Sequence, residues 1–114
     1  MRKINNINAS PSQTLTVALD SNSSFTITIR YMPRLKSFYI TNLVYNDFIV
    51  KGIRIYNSQN ILHAYSNIIP FGLACYSNEK RDPSLIQDFE SGFSSLYVLS
   101  YNDLEAYRKV LQNA

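Results

Sequence analysis

Six charged side chains fall within twelve positions of this sequence: Glu79, Lys80, Arg81, Asp82, Asp88 and Glu90. Four of them are carboxylates, the groups that bind calcium or act in pairs as acid and base in hydrolysis. A calcium loop places its oxygens at alternate positions around a central glycine. Here Leu85-Ile86 interrupts the acids, and no glycine stands at the centre. Catalytic carboxylate pairs are brought together by the fold rather than by spacing, so the sequence leaves that chemistry open. Lys80 and Arg81 neutralise two of the four charges, and structural ion pairs account for such a cluster as well as a site does. Asp82-Pro83-Ser84-Leu85 has the chemistry of a turn opening, because the Asp side chain bonds the backbone ahead and Pro fixes φ. Ile86 and Phe89, three apart, share one side of a short helical turn. Exposed, they would anchor a partner; buried, they would pin the loop to the core.

The other reactive side chains are isolated. His63 is the single histidine, with no cysteine cluster near it in sequence, so an ordinary zinc set is missing. Cys75 is the single cysteine and lies in the apolar run LACY, the setting of an inert buried thiol. The three glycines, Gly52, Gly72 and Gly92, form no phosphate-cradling loop, and neither GxGxxG, P-loop nor GxSxG occurs. The sequence therefore assigns no catalytic, cofactor-binding or metal residue, and the expected protein is not an enzyme.

The elements that must carry these residues are mostly strands. In 114 residues one domain is expected. Hydrophobic residues make up 46% and charged residues 17%, below the usual quarter or so, with nine Tyr, six Phe and no Trp. Low charge and abundant Tyr suit a surface that meets partners. The net charge is +3, from 11 basic and 8 acidic residues, and the basic residues are dispersed. Specific nucleic-acid binding is not indicated. No apolar run reaches the ~18 residues of a membrane span, and MRKINNINASPSQ lacks a signal-peptide core. Synthesis in a reducing cytoplasm is expected.

Residues 1–12 are polar and end in Ser10-Pro11-Ser12, which predicts an extended N-terminal arm or an edge strand. Leu15, Val17 and Leu19 alternate with Thr14, Thr16 and Ala18, and Phe25, Ile27, Ile29 and Tyr31 alternate with Thr26, Thr28 and Arg30 after the turn cluster 20–24. That pattern is a β-hairpin. Strands follow over 37–45 and 48–56, with Gly52 predicting a bulge or bend. Residues 57–69 fit either a short helix capped by Asn57 or Ser58, or a loop plugged into a barrel end by Ile61, Leu62 and Tyr65. Strands 71–77 and 93–101 close the domain at 13–101. Both faces of the last strand look covered, which suits a central strand or one with a partner on its outside. Over 102–114, Asn102 and Glu105 resemble a capping pair, and Leu104, Tyr107, Val110 and Leu111 recur at helical spacing. The expected fold is all-β: a small antiparallel barrel or sandwich of about six strands with a C-terminal α-helix.

Several of these segments, in this order, are similar to the baseplate plug proteins of contractile-tailed bacteriophages, best described as the cyanophage baseplate plug family. They are Ser12-Gln13, the alternating strands 25–31 and 37–45, Ile49-Val50-Lys51-Gly52, Gly72-Leu73, Asp82-Pro83 and the closing Leu96-Tyr97-Val98. The likeness spans roughly residues 11–101. Two features depart from the family pattern: Lys51 stands where a second glycine is usual, and the helix at 103–112 extends past the closing strand. The resemblance implies a virion structural protein of the tail baseplate, made in the host bacterial cytoplasm, with tube, hub and spike proteins as neighbours. It carries no catalytic residue with it.

Copies around a tail axis would form a homo-oligomeric ring, with a trimer expected over a hexamer. The interface residues expected are Ile86, Phe89, Tyr107, Val110 and Leu111. A small carbohydrate- or ligand-binding β-module is the alternative, motivated by the tyrosines and the acidic loop.

Overall fold

The computed structural model describes residues 1–19 and 23–112, with side chains up to Ala106. Eight strands precede one helix: β1 (Arg2–Lys3), β2 (Ser12–Ala18), β3 (Ser24–Met32), β4 (Ser37–Tyr45), β5 (Phe48–Val50), β6 (Ile53–Ile55), β7 (Gly72–Ser77), β8 (Ser94–Leu99) and α1 (Tyr101–Gln112). They form two antiparallel sheets. One is the series β2-β3-β4-β5, with β6 also on β4, and the other is β1-β8-β7. Neither sheet closes on itself, so the sandwich half of the barrel-or-sandwich expectation is the one realised.

The β2–β3 hairpin pairs in unbroken register from Ser12↔Arg30 to Ala18↔Ser24. Its alternation sends Val17, Phe25, Ile27 and Ile29 into the core, while Thr14 and Thr28 share a hydroxyl hydrogen bond of 3.1 Å. The next pair hides an irregularity. Ile40 and Leu43 are both buried although they stand three positions apart, which in a regular strand would put them on opposite faces. The register explains this: Thr28 faces Asn42 but Ile29 faces Ile40, leaving Thr41 as the extra residue of a bulge. On the other side of β4, Leu43 pairs Val50 and Ile40 pairs Ile53, so Lys51-Gly52 lies opposite the bulge. Gly52 has φ 74°, a left-handed value that suits glycine. The expected strand 48–56 is thus two short strands joined by a bend.

The strand β8 is central in its sheet, the first of the two arrangements its covered faces allowed. Its inward residues Ser94, Leu96 and Val98 are buried, and outward Tyr97 meets Tyr76 at a ring separation of 5.8 Å. The core between the sheets is aromatic at both ends. Phe25 stacks on Phe71 at 4.4 Å, and Phe38 meets Phe89 edge-on at 5.0 Å.

Residues 57–69 form a loop with a single 3-10 turn at His63–Tyr65. Ile61 and Leu62 are buried and Tyr65 packs against the core, so of the two readings the plugging loop is the one found. The loop is fixed by Asn60, whose Oδ1 accepts the N–H groups of Leu62 (3.0 Å) and Leu73 (3.2 Å). Ser58 pairs with Cys75 at the corner where the chain passes between sheets.

Residues 1–12 lie along the sandwich. Arg2 and Lys3 pair with Val98 and Tyr97, and Ile4 and Ile7 enter the core. Gln13 clasps Asn8 through both backbone groups, at 3.0 and 2.9 Å. The helix cap differs from the sequence expectation of Asn102 with Glu105. Ser100 and Asp103 cap reciprocally instead: the Asp103 N–H donates to Ser100 Oγ (3.1 Å), and the Ser100 N–H donates to Asp103 Oδ2 (3.0 Å). Ser-x-x-Asp satisfies the first turn two residues earlier, next to the end of β8.

Candidate functional site

The charged loop begins with Glu79 and Lys80 in left-handed conformation, φ 61° and 56°. The chain turns there and exposes both side chains. Beyond them every acid is engaged separately. Asp82 accepts the Asn57 N–H at 2.9 Å and faces Arg54 at 3.5 Å, tying the loop to the end of β6. Pro83 behind it is fully buried. Glu90 accepts the Ala9 N–H at 2.6 Å and so fastens the N-terminal segment.

Asp88 is the structural centre of the loop. Its side chain is buried yet stays charged, because Arg81 Nη1 lies 3.1 Å from Oδ2 and the N–H groups of Ser84 and Leu85 donate to the same oxygen at 2.8 and 2.9 Å. Burial alone would raise the carboxyl, but the two backbone donors and the guanidinium outweigh it and hold it below the usual carboxylate range. Arg81 is itself held over the Phe93 ring, 4.0 Å from its centroid, and reaches the Ser84 hydroxyl. The Asp88 backbone closes the turn by accepting the Ser94 N–H at 2.9 Å, at the start of β8. Tyr31 adds a hydroxyl bond to the Ser84 carbonyl at 2.7 Å.

This arrangement ties a loop down; it does not assemble a reacting centre. Asp82, Asp88 and Glu90 point to three different partners. Among the described residues, no group of three His, Cys, Asp or Glu side chains is placed to hold a metal ion. His63 is exposed in its 3-10 turn. Cys75 is buried, and its thiol is pushed up to about 12, chiefly by burial and then by the Asp82 charge. At neutral pH it is a protonated apolar side chain.

The expected interface residues are divided. Phe89 is 7% exposed and its ring is occupied inside the chain against Phe38. Ile86 is half-buried on the same loop. Tyr107, Val110 and Leu111 fall in the second half of α1, and their side chains lie outside the described ones.

Two surface features escaped the sequence reading. One is a cleft of about 490 Å³ at the end of the sandwich where β2, β4 and β8 finish, lined by Leu19, Tyr45, Phe71, Val98 and Tyr101 with Arg2 at the side. The other is the β4–β5 hairpin tip, where Val44, Phe48 and Ile49 are exposed. The run LVYNDFIV held the only sequence signal for the tip: apolar residues occupy both faces on either side of a two-residue turn.

The charged loop thus ties the end of β6, the N-terminal segment and the start of β8 together. The family model described as cyanophage baseplate Pam3 plug gp18 matches residues 1–103. The chain belongs to this baseplate plug family. It is accordingly a bacteriophage structural protein of the virion baseplate. No curated protein is matched by the chain. The match begins at Met1, so the segment carrying Ile4 and Ile7 lies within the matched region. It ends at Asp103, within the first turn of α1, so the rest of the helix lies beyond it.

Proposed function

We propose that the chain is a non-enzymatic plug subunit of a contractile tail, joining tube, hub and spike proteins at the baseplate centre as a homo-oligomeric ring, three-fold rather than six-fold. The family match over residues 1–103 carries this reading. The separate engagement of Asp82, Asp88 and Glu90 supports it, because these acids tie the fold together. Neighbours are contacted through Ile86, which buried Phe89 supports from its own loop, and through Tyr107, Val110 and Leu111 of α1. An amphipathic helix this short gains its stability by docking, and its second half supplies a face for a neighbour.

Co-purification tests this. The tagged chain, mixed with the tube, hub and spike proteins of its own phage, is expected to retain at least the hub or spike. A monodisperse chain that retains none of the three would sink the reading.

A further inference from the structure

The basic side chains are dispersed along the sequence, but the fold gathers four of them at one corner. Arg30 on β3 pairs with Tyr39 on β4, and Tyr39 pairs with Arg54 on β6, so the three form one row across the five-stranded sheet. The row lies on the solvent side, because its chain neighbours Ile29, Phe38, Ile40 and Ile55 are the buried ones. Just beyond it, the turn between β3 and β4 carries Arg34 and Lys36, both exposed. The Leu35 N–H donates to the Met32 carbonyl at 3.1 Å and Lys36 takes φ 48°, which closes that turn. Among the described residues, no carboxylate lies within ion-pair distance of Arg30, Arg34 or Lys36. Arg54 meets Asp82 at 3.5 Å, with both side chains well exposed, a pair that adds little. Against that one acid the four cations leave +3 at this corner. This is the whole net charge of the chain, since the remaining basic and acidic residues cancel. Concentrated like charge repels itself in an isolated subunit and attracts a partner of opposite sign.

The form of the patch selects that partner. Strands about 4.8 Å apart put Arg30 and Arg54 about 10 Å from each other, a short flat row and not a stripe that follows phosphates. The row holds one aromatic ring, Tyr39, where single-stranded nucleic acid needs a series of rings for successive bases. Guanidinium forks suit carboxylates, which accept two hydrogen bonds from each. Leu35, 62% exposed at the turn, adds the apolar contact that protein interfaces use. We propose that this corner of the five-stranded sheet docks an acidic protein segment, its carboxylates received by Arg30, Arg34, Lys36 and Arg54. This rests on the reading of the chain as a subunit that joins baseplate neighbours, and it names the chemistry of one such contact.

Fluorescence anisotropy of the full chain with two labelled probes of equal length, a glutamate peptide and a thymidine oligonucleotide, tests it. The chain is expected to bind the glutamate peptide, less tightly as salt rises. Arg30→Glu and Arg34→Glu, both at exposed positions, should each weaken binding about fivefold with an unchanged circular dichroism spectrum. Lys3→Glu, the same charge change on the three-stranded sheet, should weaken it by less than about twofold. Mixed with the tube, hub and spike proteins, the chain carrying both arginine changes should lose a neighbour that the wild type retains. Failure to bind the glutamate peptide, or an equal loss in Lys3→Glu, would overturn the proposal. So would tighter binding of the oligonucleotide that the same two arginine changes abolish, which would mark a nucleic-acid surface. A doubly changed chain that keeps every neighbour would remove this contact while leaving the baseplate reading intact.

Discussion

Asp88 shows how one side chain can look like a site and act as a fastening. Its carboxylate is stabilised by two backbone N–H groups and the Arg81 guanidinium, so its folded-state pKa lies below the ordinary value. A lowered pKa adds stability that is complete above the unfolded carboxylate value of about 4. That stability is lost as the pH falls through the lower folded value. Asp88→Asn should therefore destabilise by about 2–4 kcal/mol at pH 7, with the gap to wild type narrowing below about pH 4 in urea titrations. A second residue-scale prediction concerns Gly72. A Cβ there would meet Asn60 Oδ1 at 2.7 Å, the atom that accepts the Leu62 and Leu73 N–H groups. Gly72→Ala should cost about 1–3 kcal/mol. In an Asn60→Ala background the same change should cost less, a coupling measurable by thermal melts of the four chains.

At the scale of elements, the bend between β5 and β6 and the start of α1 are the points most open to test. An added side chain at Gly52 would meet nothing within 4 Å, so only its backbone, φ 74°, resists substitution. Gly52→Val should destabilise by roughly 1–3 kcal/mol through conformation alone, and an unchanged melting temperature would remove the bend from the account. The helix is fastened at its first turn by the Ser100–Asp103 exchange, by Leu104 packing, and by the Met1 ammonium 2.9 Å from Asp103. That ammonium, with the Ser100 N–H, holds the Asp103 carboxyl below its usual range. Removing residues 105–114 leaves these contacts in place. The truncated chain should keep its β spectrum and melt cooperatively, while losing retention of its baseplate neighbours. Loss of folding instead would place the rest of the helix in the core.

At the scale of the whole molecule, the two sheets share one aromatic core, and the loop 78–93 laces their edges to the N-terminal segment. Cys75 lies inside that core with its thiol at about 12, so it reports on the sandwich as a unit. Alkylation at pH 8 should modify the unfolded chain readily and the folded chain only at the rate of opening. The sequence by itself determined the hairpin 12–32, an interruption of the strand at Gly52 and the terminal helix, because each is written in local periodicity or in a single residue's conformational freedom. It also carried the family likeness, whose segments keep their order along the chain. Only the tertiary structure decided sandwich over barrel, the bulge at Thr41 that sets Ile40 and Leu43 on one face, and the partners of Asp82, Asp88 and Glu90. Arg54 with Asp82, and Ala9 with Glu90, come from segments far apart in the chain. Side-chain charge specifies that a partner is needed, but only packing specifies which one lies within reach.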